Sequence, residues 1–494
     1  MGSRPKNPRR SKGRFPTGLF RLLRSLLLIV PFFVFSGCGG GGASSSLAGG
    51  GIGGSGIQSV GPITDFGSVF VNGVEYDTTW ANILMNGVPN RPISALKVGM
   101  VVRVSGTIDP IEAKGTATVV DYESELTGTI GAPPVISTTG GTFVIFGQTV
   151  VVDAGTVFDN ASGIEALSAG TLVEVSGFRD RAGQIHATFV AADSAAPSVI
   201  QIKGTISEVT PTTFRLGSLV VNYGGATTEN VPPGGLGNGL LVAVRSGSLP
   251  VNGVLTASDI EVEKGVPATH GQAALQGYVA NLSGNSFTLN GQAVAVNAQT
   301  AYKNGTAASL ANNVKVEVEG ELVAGVLVAS RLEFDQAPTV RLQTQVSAVN
   351  VAARMVTVFG SPGVVVQFTD QTLLLDQSSA RLRAFGLANI APGDRLAIVG
   401  VNTGQSSVNA KRVVRTDPDA QALLEGPLES AVLPTLTILG VNANTSVATQ
   451  FQDSNGNAVS QSVFFDQTTP GRIVQVQGLF DGTAIAVTKA SFRN

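Results

Sequence analysis

The chain has 494 residues, of which 43% are hydrophobic and only 13% charged, with 61 glycines and a single cysteine. From Cys38 onward there are 34 acidic and 24 basic side chains, a net charge of about −10, whereas residues 1–37 carry no acidic side chain. This balance excludes the basic surface that nucleic-acid binding needs, and one cysteine excludes an intramolecular disulfide.

The N-terminal 37 residues have the composition of a secretory signal. Residues 1–25 contain eight basic side chains, and an apolar run follows at residues 26–35. The run is too short for a membrane-spanning helix, which needs roughly 20 residues. A basic segment, a short apolar run and small residues at the cleavage point are typical of a signal peptide. We therefore predict a lipoprotein signal peptide at residues 1–37.

The cleavage point resembles the bacterial lipobox. Phe35, Ser36, Gly37 and Cys38 match it, although Leu is more usual than Phe at the first position. The resemblance implies cleavage before Cys38, diacylglycerol on its thiol and acylation of the new amino terminus. Two or more acyl chains anchor a protein stably, whereas one holds it only marginally. Gly39 stands where inner-membrane lipoproteins carry Asp, which implies the outer membrane of a Gram-negative bacterium. The alternative is an incidental free thiol beside a signal peptide cleaved elsewhere.

Residues 38–57 read as a tether. After Cys38 they are mostly Gly, Ser and Ala, without side chains that could form a core. Such a segment is expected to be a flexible coil. Gly51, Gly53 and Gly56 have the spacing of a dinucleotide-binding loop, but that site requires a preceding strand and a following helix. We predict no cofactor here.

One phrase recurs six times after the tether. It consists of an apolar residue, an inner Gly three positions later, two alternating apolar residues and a closing Gly. The inner positions are Gly99, Gly170, Gly239, Asn313, Gly393 and Gly471. We also predict a turn, and so the end of a strand, at the closing positions, which are Gly106, Gly177, Gly320, Gly400 and Gly478, with Gly247 one position late in the third copy. Because Asn tolerates positive φ better than other non-glycine residues, Asn313 indicates a left-handed turn before a strand.

The remainder of each copy predicts short strands. Alternating apolar residues flank turns such as Asn72-Gly73 and Asn290-Gly291, and Asn-Gly between apolar runs is a strong hairpin signal. No segment shows a sustained helical period, and at most one helical turn is expected near residues 93–96. Five or six strands in about 70–80 residues favour a small barrel, because closure removes exposed sheet edges.

The predicted fold is therefore all-β, with six tandem, small, OB-like β-barrel repeats. We number them as units 1 to 6, and their predicted bounds are residues 58–125, 126–197, 198–268, 269–338, 339–418 and 419–494. Short joins rich in Ala and Pro, such as residues 195–197, indicate six barrels arranged in series.

Residues 61–106 carry a family resemblance. Their sequence, GPITDFGSVFVNGVEYDTT followed by LKVGMVVRVSG, resembles the bacterial repeat family called domain of unknown function 5666. The resemblance is clearest in unit 1. It implies tandem copies, often behind a lipoprotein signal, and an OB-type or related small β-barrel. It implies no activity and no functional residue.

The titratable residues suggest no shared site. His186 and His270 have no histidine counterparts in the other units, so we predict an exposed strand residue and an exposed linker residue rather than zinc ligands. Asp121, Glu123 and Glu125 alternate along one strand face. They could bind a divalent cation or support acid–base chemistry, but a solvated face is the prediction.

Two further segments have competing interpretations. Residues 453–457 resemble a calcium loop, yet Phe464 stands where an EF-hand requires Glu, so we predict a polar hairpin turn. Tyr76 and Trp80 could stack on a sugar, but a role in core or turn packing is the prediction.

These observations favour a non-enzymatic protein of the cell envelope. We expect a spacer or binding scaffold of tandem barrels, attached to the membrane through lipid on Cys38, with no metal and no catalytic residue. The alternative is a ligand-binding protein that recognises a glycan, a peptide or another envelope protein through barrel faces or loops. An enzyme is a third hypothesis, and it requires several titratable groups that converge in one cavity.

Overall fold

β-Strands provide nearly all of the regular structure. The computed structural model describes residues 56–493, except residues 110–112, 138–139, 194–197, 264 and 267–269. The predicted signal peptide, the lipobox with Phe35, Ser36, Gly37 and Cys38, and the tether up to residue 55 lie outside the described residues. Within the described ranges, no helix has the length and apolar character needed to cross a membrane.

The strands of units 1 to 3 are short and follow one another closely. Unit 1 contains β1 (Ile57–Pro62), β2 (Val69–Val71), β3 (Val74–Asp77), β4 (Asn82–Met85), β5 (Val101–Asp109) and β6 (Lys114–Tyr122). Unit 2 contains β7 (Leu126–Thr129), β8 (Val135–Ser137), β9 (Gly140–Ile145), β10 (Gln148–Asp153), β11 (Val157–Asp159), β12 (Leu172–Arg179) and β13 (Ile185–Asp193). Unit 3 contains β14 (Ile200–Ser207), β15 (Thr213–Leu216), β16 (Leu219–Asn222), β17 (Thr227–Glu229), β18 (Leu241–Ser246), β19 (Val254–Thr256) and β20 (Asp259–Val262).

Units 4 to 6 repeat this succession with some longer strands. Unit 4 contains β21 (His270–Tyr278), β22 (Ala280–Ser283), β23 (Ser286–Leu289), β24 (Gln292–Ala295), β25 (Ala301–Lys303), β26 (Lys315–Val323) and β27 (Val326–Phe334). Unit 5 contains β28 (Val340–Asn350), β29 (Met355–Val358), β30 (Val364–Asp376), β31 (Arg395–Gly404) and β32 (Ser407–Thr416). Unit 6 contains β33 (Gln421–Val432), β34 (Thr435–Ile438), β35 (Val441–Asn444), β36 (Gln450–Gln452), β37 (Ala458–Val459), β38 (Ile473–Phe480) and β39 (Ala484–Phe492).

Within the described residues, helical structure is confined to one short α-helix and four 3-10 turns. The α-helix α1 (Gln461–Asp466) lies in unit 6. The 3-10 turns are Ile93–Ala95, Ile164–Ala166, Ala307–Ser309 and Leu387–Asn389. The first of them lies where the sequence predicts one helical turn, and the other three occupy the equivalent position in units 2, 4 and 5. The all-β prediction is confirmed.

Unit 5 closes into a five-stranded barrel. Its first strand β28 is antiparallel to both β29 and β31, and β29 is antiparallel to β30. The third strand β30 runs parallel to the last strand β32, which is antiparallel to β31. In the other units, too, the first strand pairs with the fourth long strand. The third runs parallel to the last in units 1, 2, 4 and 6, whereas in unit 3 β16 runs parallel to β19 and β17 to the last strand β20.

The residue at the inner position of the repeated phrase connects the fourth long strand to the first through a backbone hydrogen bond. Its φ is +90° at Gly99, +84° at Gly170, +92° at Gly239, +68° at Asn313, +92° at Gly393 and +86° at Gly471. In each unit the N–H of this residue donates to a carbonyl in the first strand or in the residue directly after it, for example from Gly99 to Ile63 at 2.8 Å and from Asn313 to Val279 at 2.8 Å. This left-handed conformation is the one that the sequence predicts for the position.

The closing glycines do not end their strands, contrary to the sequence interpretation. Gly106 lies inside β5, and the register between β5 and β6 shifts at this residue, so one extra residue forms a β-bulge. A Cβ on Gly106 would lie 2.1 Å from the carbonyl oxygen of Thr116. Only glycine permits such a close backbone approach. The same shift occurs at Gly177, Gly320, Gly400 and Gly478.

The first strands join the units in pairs. β1 of unit 1 runs parallel to β21 of unit 4, β7 of unit 2 pairs with β14 of unit 3, and β28 of unit 5 pairs with β33 of unit 6. The result is three sheets of 13, 14 and 12 strands, each built from two units. The hydrophobic cores follow this pairing in two of the three pairs, since units 2 and 3 share one cluster and units 5 and 6 another. Units 1 and 4 have separate clusters, and that of unit 1 includes residues of units 2 and 5.

The three pairs also contact one another, so the predicted arrangement of separate barrels in series is wrong. Leu374 of unit 5 donates its N–H to the carbonyl of Thr64 in unit 1 at 3.0 Å. Arg412 of unit 5, which is half-buried, donates to the carbonyl of Thr156 in unit 2 at 2.7 Å. Joins rich in Ala and Pro show where one unit ends, but they do not determine which other units it packs against.

Candidate functional site

A polar cavity of about 950 Å³ lies among units 1 to 4. Three hairpin turns reach it: Gly147-Gln148 between β9 and β10, Gly217 between β15 and β16, and Asn290-Gly291 between β23 and β24. Unit 1 contributes Arg103 from β5 and Asp121 from β6. The cavity is therefore a product of the arrangement of units, and no single unit contains it.

The acidic residues Asp121, Glu123 and Glu125 all line this cavity. They alternate along the end of β6 and the link to β7, which places the three side chains on one side of the chain. The sequence interpretation of a solvated face is wrong, because only 15% of the Glu123 side chain and 18% of the Glu125 side chain are exposed. Units 2 and 3 cover this face.

Cationic side chains from units 2 and 3 pair with these carboxylates. Glu123 accepts from Arg245 through Oε1 at 2.6 Å and from Lys203 through Oε2 at 2.7 Å. Arg179 donates to Glu125 at 2.7 Å. The ammonium of Lys203 also lies 2.8 Å from Glu263. The acidic strand thus belongs to an ion-pair network that joins three units.

The network separates the pKa values of neighbouring carboxyl groups. Burial and, to a lesser extent, the charge of Glu123 raise the pKa of Asp121 to about 6, against the opposing effect of Arg103. Burial also acts to raise the pKa of Glu123, but the Lys203 ammonium and the Arg245 guanidinium lower it to about 2. Burial disfavours the charged form of Lys203, yet Glu123 and Glu263 raise the pKa of its ammonium well above the ordinary value.

This arrangement suits binding better than reaction. A raised and a lowered carboxyl pKa in one cavity can mark an acid and a nucleophile. Here, however, both oxygens of Glu123 are occupied by cations. The divalent-cation interpretation also fails for these residues, since no group of three His, Cys, Asp or Glu side chains in the described ranges could hold a metal.

Four buried polar atoms of the cavity lining have no hydrogen-bond partner; one of them, Glu263 Oε1, lies 2.8 Å from the Lys203 ammonium, and the other three have no ion-pair contact either. These three are Arg103 Nε, Asp121 Oδ1 and Gln148 Nε2. Arg103 and Asp121 stand opposite each other in the register of β5 and β6, but no hydrogen bond or ion pair joins them. Buried polar atoms normally have partners, so these three are exceptions within the lining.

The two histidines do not have the predicted environments. His186 is half-buried, its ring centroid lies 4.4 Å from that of Tyr278 in unit 4, and its Nε2 lies 3.3 Å from Asp180. It therefore contacts another unit and does not simply face solvent. His270 begins β21 and is not part of a linker, because it pairs with Val323 of β26; its side chain lies outside the described residues.

The predictions for the remaining candidates have mixed outcomes. Tyr76 is fully buried, as predicted, but Trp80 is 89% exposed, so a packing role for Trp80 is wrong. The turn at residues 453–457 connects β36 and β37, and Asp453 Oδ1 accepts from the N–H groups of Asn455 at 2.9 Å and Asn457 at 2.8 Å. The predicted polar hairpin turn is confirmed.

Sequence reasoning missed the cationic half of the network. One signal was available, because Lys203 interrupts the otherwise uncharged strand β14. A charged side chain in a buried strand requires a partner of opposite charge. No such signal distinguished Arg103, Arg179 or Arg245, since each alternates with apolar residues as an exposed strand residue would.

Comparison with known families identifies the repeats. Residues 127–191, 203–261, 276–333 and 425–488 match the family described as Domain of unknown function (DUF5666). The chain carries tandem repeats that resemble DUF5666. The DUF5666 segments lie within units 2, 3, 4 and 6, whereas residues 61–106, which suggested the resemblance, lie outside them. No curated protein matches the chain.

Proposed function

We propose that this protein is an envelope lipoprotein whose six OB-like barrels form a non-enzymatic binding scaffold or spacer. In this proposal the signal peptide of residues 1–37 is removed and lipid on Cys38 anchors the chain to the outer membrane of a Gram-negative bacterium. The function is to hold a large β-structure at the membrane, and no catalytic residue is required.

Strand order supports the OB-like assignment. Taking only the five long strands of a unit, the order around the barrel is first, second, third, fifth, fourth and back to first, as the pairings of unit 5 illustrate. OB-folds are five-stranded Greek-key barrels. The connection between the third and fourth long strands includes a 3-10 turn in units 1, 2, 4 and 5.

The pairing of first strands is the observation that carries the scaffold proposal. A flexible spacer would be built of units that contact only the units next to them in sequence. Here β1 and β21 are more than 200 residues apart in sequence, yet they hydrogen-bond in one sheet. Since the ion-pair network also joins units 1, 2 and 3, the six barrels are expected to act as one body with a fixed arrangement of surfaces.

Scanning calorimetry of the full-length chain tests the scaffold. We expect three or fewer cooperative transitions, because two units that share a sheet should unfold together. Six independent transitions of similar enthalpy would instead support a flexible spacer of separate barrels.

Metabolic labelling with a fatty-acid analogue tests the anchor. The wild-type chain should incorporate the label and remain in the membrane fraction, whereas Cys38→Ser should do neither. The matched control is Ser36→Ala, which keeps a small residue before the cleavage point and should be labelled normally. Membrane association of Cys38→Ser would refute anchoring through this residue.

Ligand recognition is the second candidate function, and the exposure of Trp80 favours it. Trp80 is the single tryptophan of the chain and is 89% exposed on a loop of unit 1. An exposed aromatic ring can stack on a sugar or insert into a protein partner. Titration with peptidoglycan fragments should shift or quench the Trp80 emission, and an unchanged spectrum would count against glycan recognition at this loop.

A further inference from the structure

The cavity among units 1 to 4 has a lining whose charges nearly cancel. Its charged side chains are the cations Arg103, Arg179, Arg181 and Lys203 and the carboxylates Asp121, Glu123, Glu125, Asp180 and Glu263. Arg179 and Lys203 are neutralised within 3 Å by Glu125, Glu123 and Glu263. Such a lining favours neither a strongly anionic nor a strongly cationic molecule, because its four cations and five carboxylates leave only a small net charge.

The atoms that have no partner define what a ligand must offer. Arg103 Nε and Gln148 Nε2 are buried donors, and Asp121 Oδ1 is a buried acceptor when the carboxyl is ionised. A hydroxyl group satisfies both kinds of atom, since it accepts one hydrogen bond and donates another. A row of hydroxyls could therefore bridge β5 and β6 of unit 1 and the Gly147-Gln148 turn of unit 2.

The size of the cavity also suits a ligand that carries several hydroxyl groups. Small-molecule sites usually enclose about 300–1,000 Å³, and this cavity of about 950 Å³ is near the upper end of that range. It has room for several linked rings. Planar carboxylate, amide and guanidinium groups at fixed positions can hydrogen-bond to adjacent hydroxyls of such rings.

We propose that this cavity binds a neutral, polyhydroxylated molecule of oligosaccharide size. Arg103 and Gln148 donate hydrogen bonds to its hydroxyl oxygens, and Asp121 accepts one from a hydroxyl. The site depends on units 1 and 2 being held together with units 3 and 4, so an isolated unit does not contain it. It is separate from the exposed ring of Trp80, which does not line the cavity.

Isothermal titration of the full-length chain with maltotriose, cellotriose and triacetylchitotriose tests the proposal. At least one of these neutral probes should bind saturably, and glycylglycine and citrate, as zwitterionic and anionic comparators, should not. Arg103→Met and Gln148→Met remove one donor each from different units. Each should weaken the binding about tenfold or more, as expected for the loss of a buried hydrogen bond.

Arg215→Met is the matched control, because Arg215 lies on β15, pairs with Glu208 and is absent from the cavity lining. It should bind like the wild type, and thermal unfolding should show that the variants remain folded. Three results would overturn the proposal: no binding of any neutral probe at about 10 mM, binding of glycylglycine or citrate alone, or unchanged affinity in both Arg103→Met and Gln148→Met. If either Arg103→Met or Gln148→Met does not fold, the affinity of the other variant tests the proposal.

Discussion

At the scale of single residues, Glu317 on β26 has an environment that its sequence neighbours do not indicate. Its Oε2 accepts hydrogen bonds from Gln276 of unit 4 at 3.0 Å and from Gln371 of unit 5 at 2.5 Å. Burial raises the pKa of Glu317 to about 8, and the carboxylates of Glu319 and Glu333 contribute to the increase. The side chain is therefore a protonated acid near neutral pH, at a contact between two units.

This raised pKa predicts a pH-dependent stability. Between the ordinary value of 4.5 and about 8, the folded chain holds a proton on Glu317 that the unfolded chain has lost. The contribution of this residue to stability is thus fully present below pH 4.5 and declines as the pH rises through 8. Glu317→Gln should remove the decline and raise the free energy of unfolding at pH 8 by on the order of 2 kcal/mol.

Urea unfolding at pH 5, 7 and 9 measures this difference. Glu321→Gln on the same strand is the control, because Glu321 is exposed and should change the pH profile little. An identical pH profile for wild type and Glu317→Gln would contradict the prediction.

The left-handed residues give a second prediction at this scale. Gly393 has a φ of +92°, and a Cβ placed there would meet no atom within 4 Å. Gly393→Ala should therefore destabilise the protein by about 1–2 kcal/mol through backbone strain alone. The control is Gly225→Ala, where space is also open but φ is not left-handed, and its effect on thermal unfolding should be small. Equal effects of the two substitutions would show that strain is not the cause.

At the scale of strands, the β-bulge and a buried threonine form one structural feature. Thr156, Thr300, Thr372 and Thr449 each donate from the hydroxyl to a carbonyl of the last long strand in their unit, at 2.7–2.8 Å. Each hydroxyl also accepts a backbone N–H three residues earlier, as Thr449 does from Ser446 at 2.8 Å. The carbonyl that accepts this hydrogen bond belongs to the residue just before the extra residue of the β-bulge. The threonine hydroxyl therefore satisfies a carbonyl that the irregular strand pairing leaves without a backbone partner.

Thr449→Val tests this feature with little change in side-chain shape. It leaves the carbonyl of Val487 and the N–H of Ser446 without these partners, so the expected loss is about 1–3 kcal/mol of unfolding free energy. Thr212→Val at an exposed position is the control. A loss no greater than that of the control, measured by urea unfolding, would remove the proposed role of the hydroxyl.

At the scale of the whole molecule, the pairing of first strands makes the stability of one unit depend on a distant one. β1 has β5 of its own unit on one side and β21 of unit 4 on the other. The side chain of Asn72 adds a hydrogen bond to the carbonyl of Ala274 at 2.9 Å. Removing unit 4 would therefore expose both the edge and the polar groups of unit 1.

Deletion of residues 269–338 should accordingly increase hydrogen exchange in β1. The reason is that local opening of β1 becomes easier when one neighbouring strand is lost. Deletion of residues 419–494 is the matched control, since unit 6 pairs with unit 5 and should leave exchange in β1 closer to that of the intact chain. Unchanged exchange at residues 57–62 after deletion of unit 4 would mean that the barrels fold independently.

Local features of the fold could be predicted from the sequence because their causes lie within one unit. Strand alternation, Asn-Gly turns and the left-handed position occupied by Asn313 follow from backbone sterics and side-chain burial over a few residues. The role of the closing glycines was harder to predict. A glycine in a turn and a glycine in a bulge have the same sequence signal, and only the register of β5 and β6 distinguishes them.

The sequence by itself determined the all-β class and the presence of tandem repeats, since these follow from periodicity. Only the tertiary structure decided which units pair, that Asp121, Glu123 and Glu125 are covered, and that a cavity lies among four units. The physical reason is that first strands of similar apolar character can pair in many combinations, and the choice depends on contacts between residues hundreds of positions apart. An exposed strand face and an ion-paired one have the same alternating pattern until the partner that supplies Lys203 and Arg245 is in place.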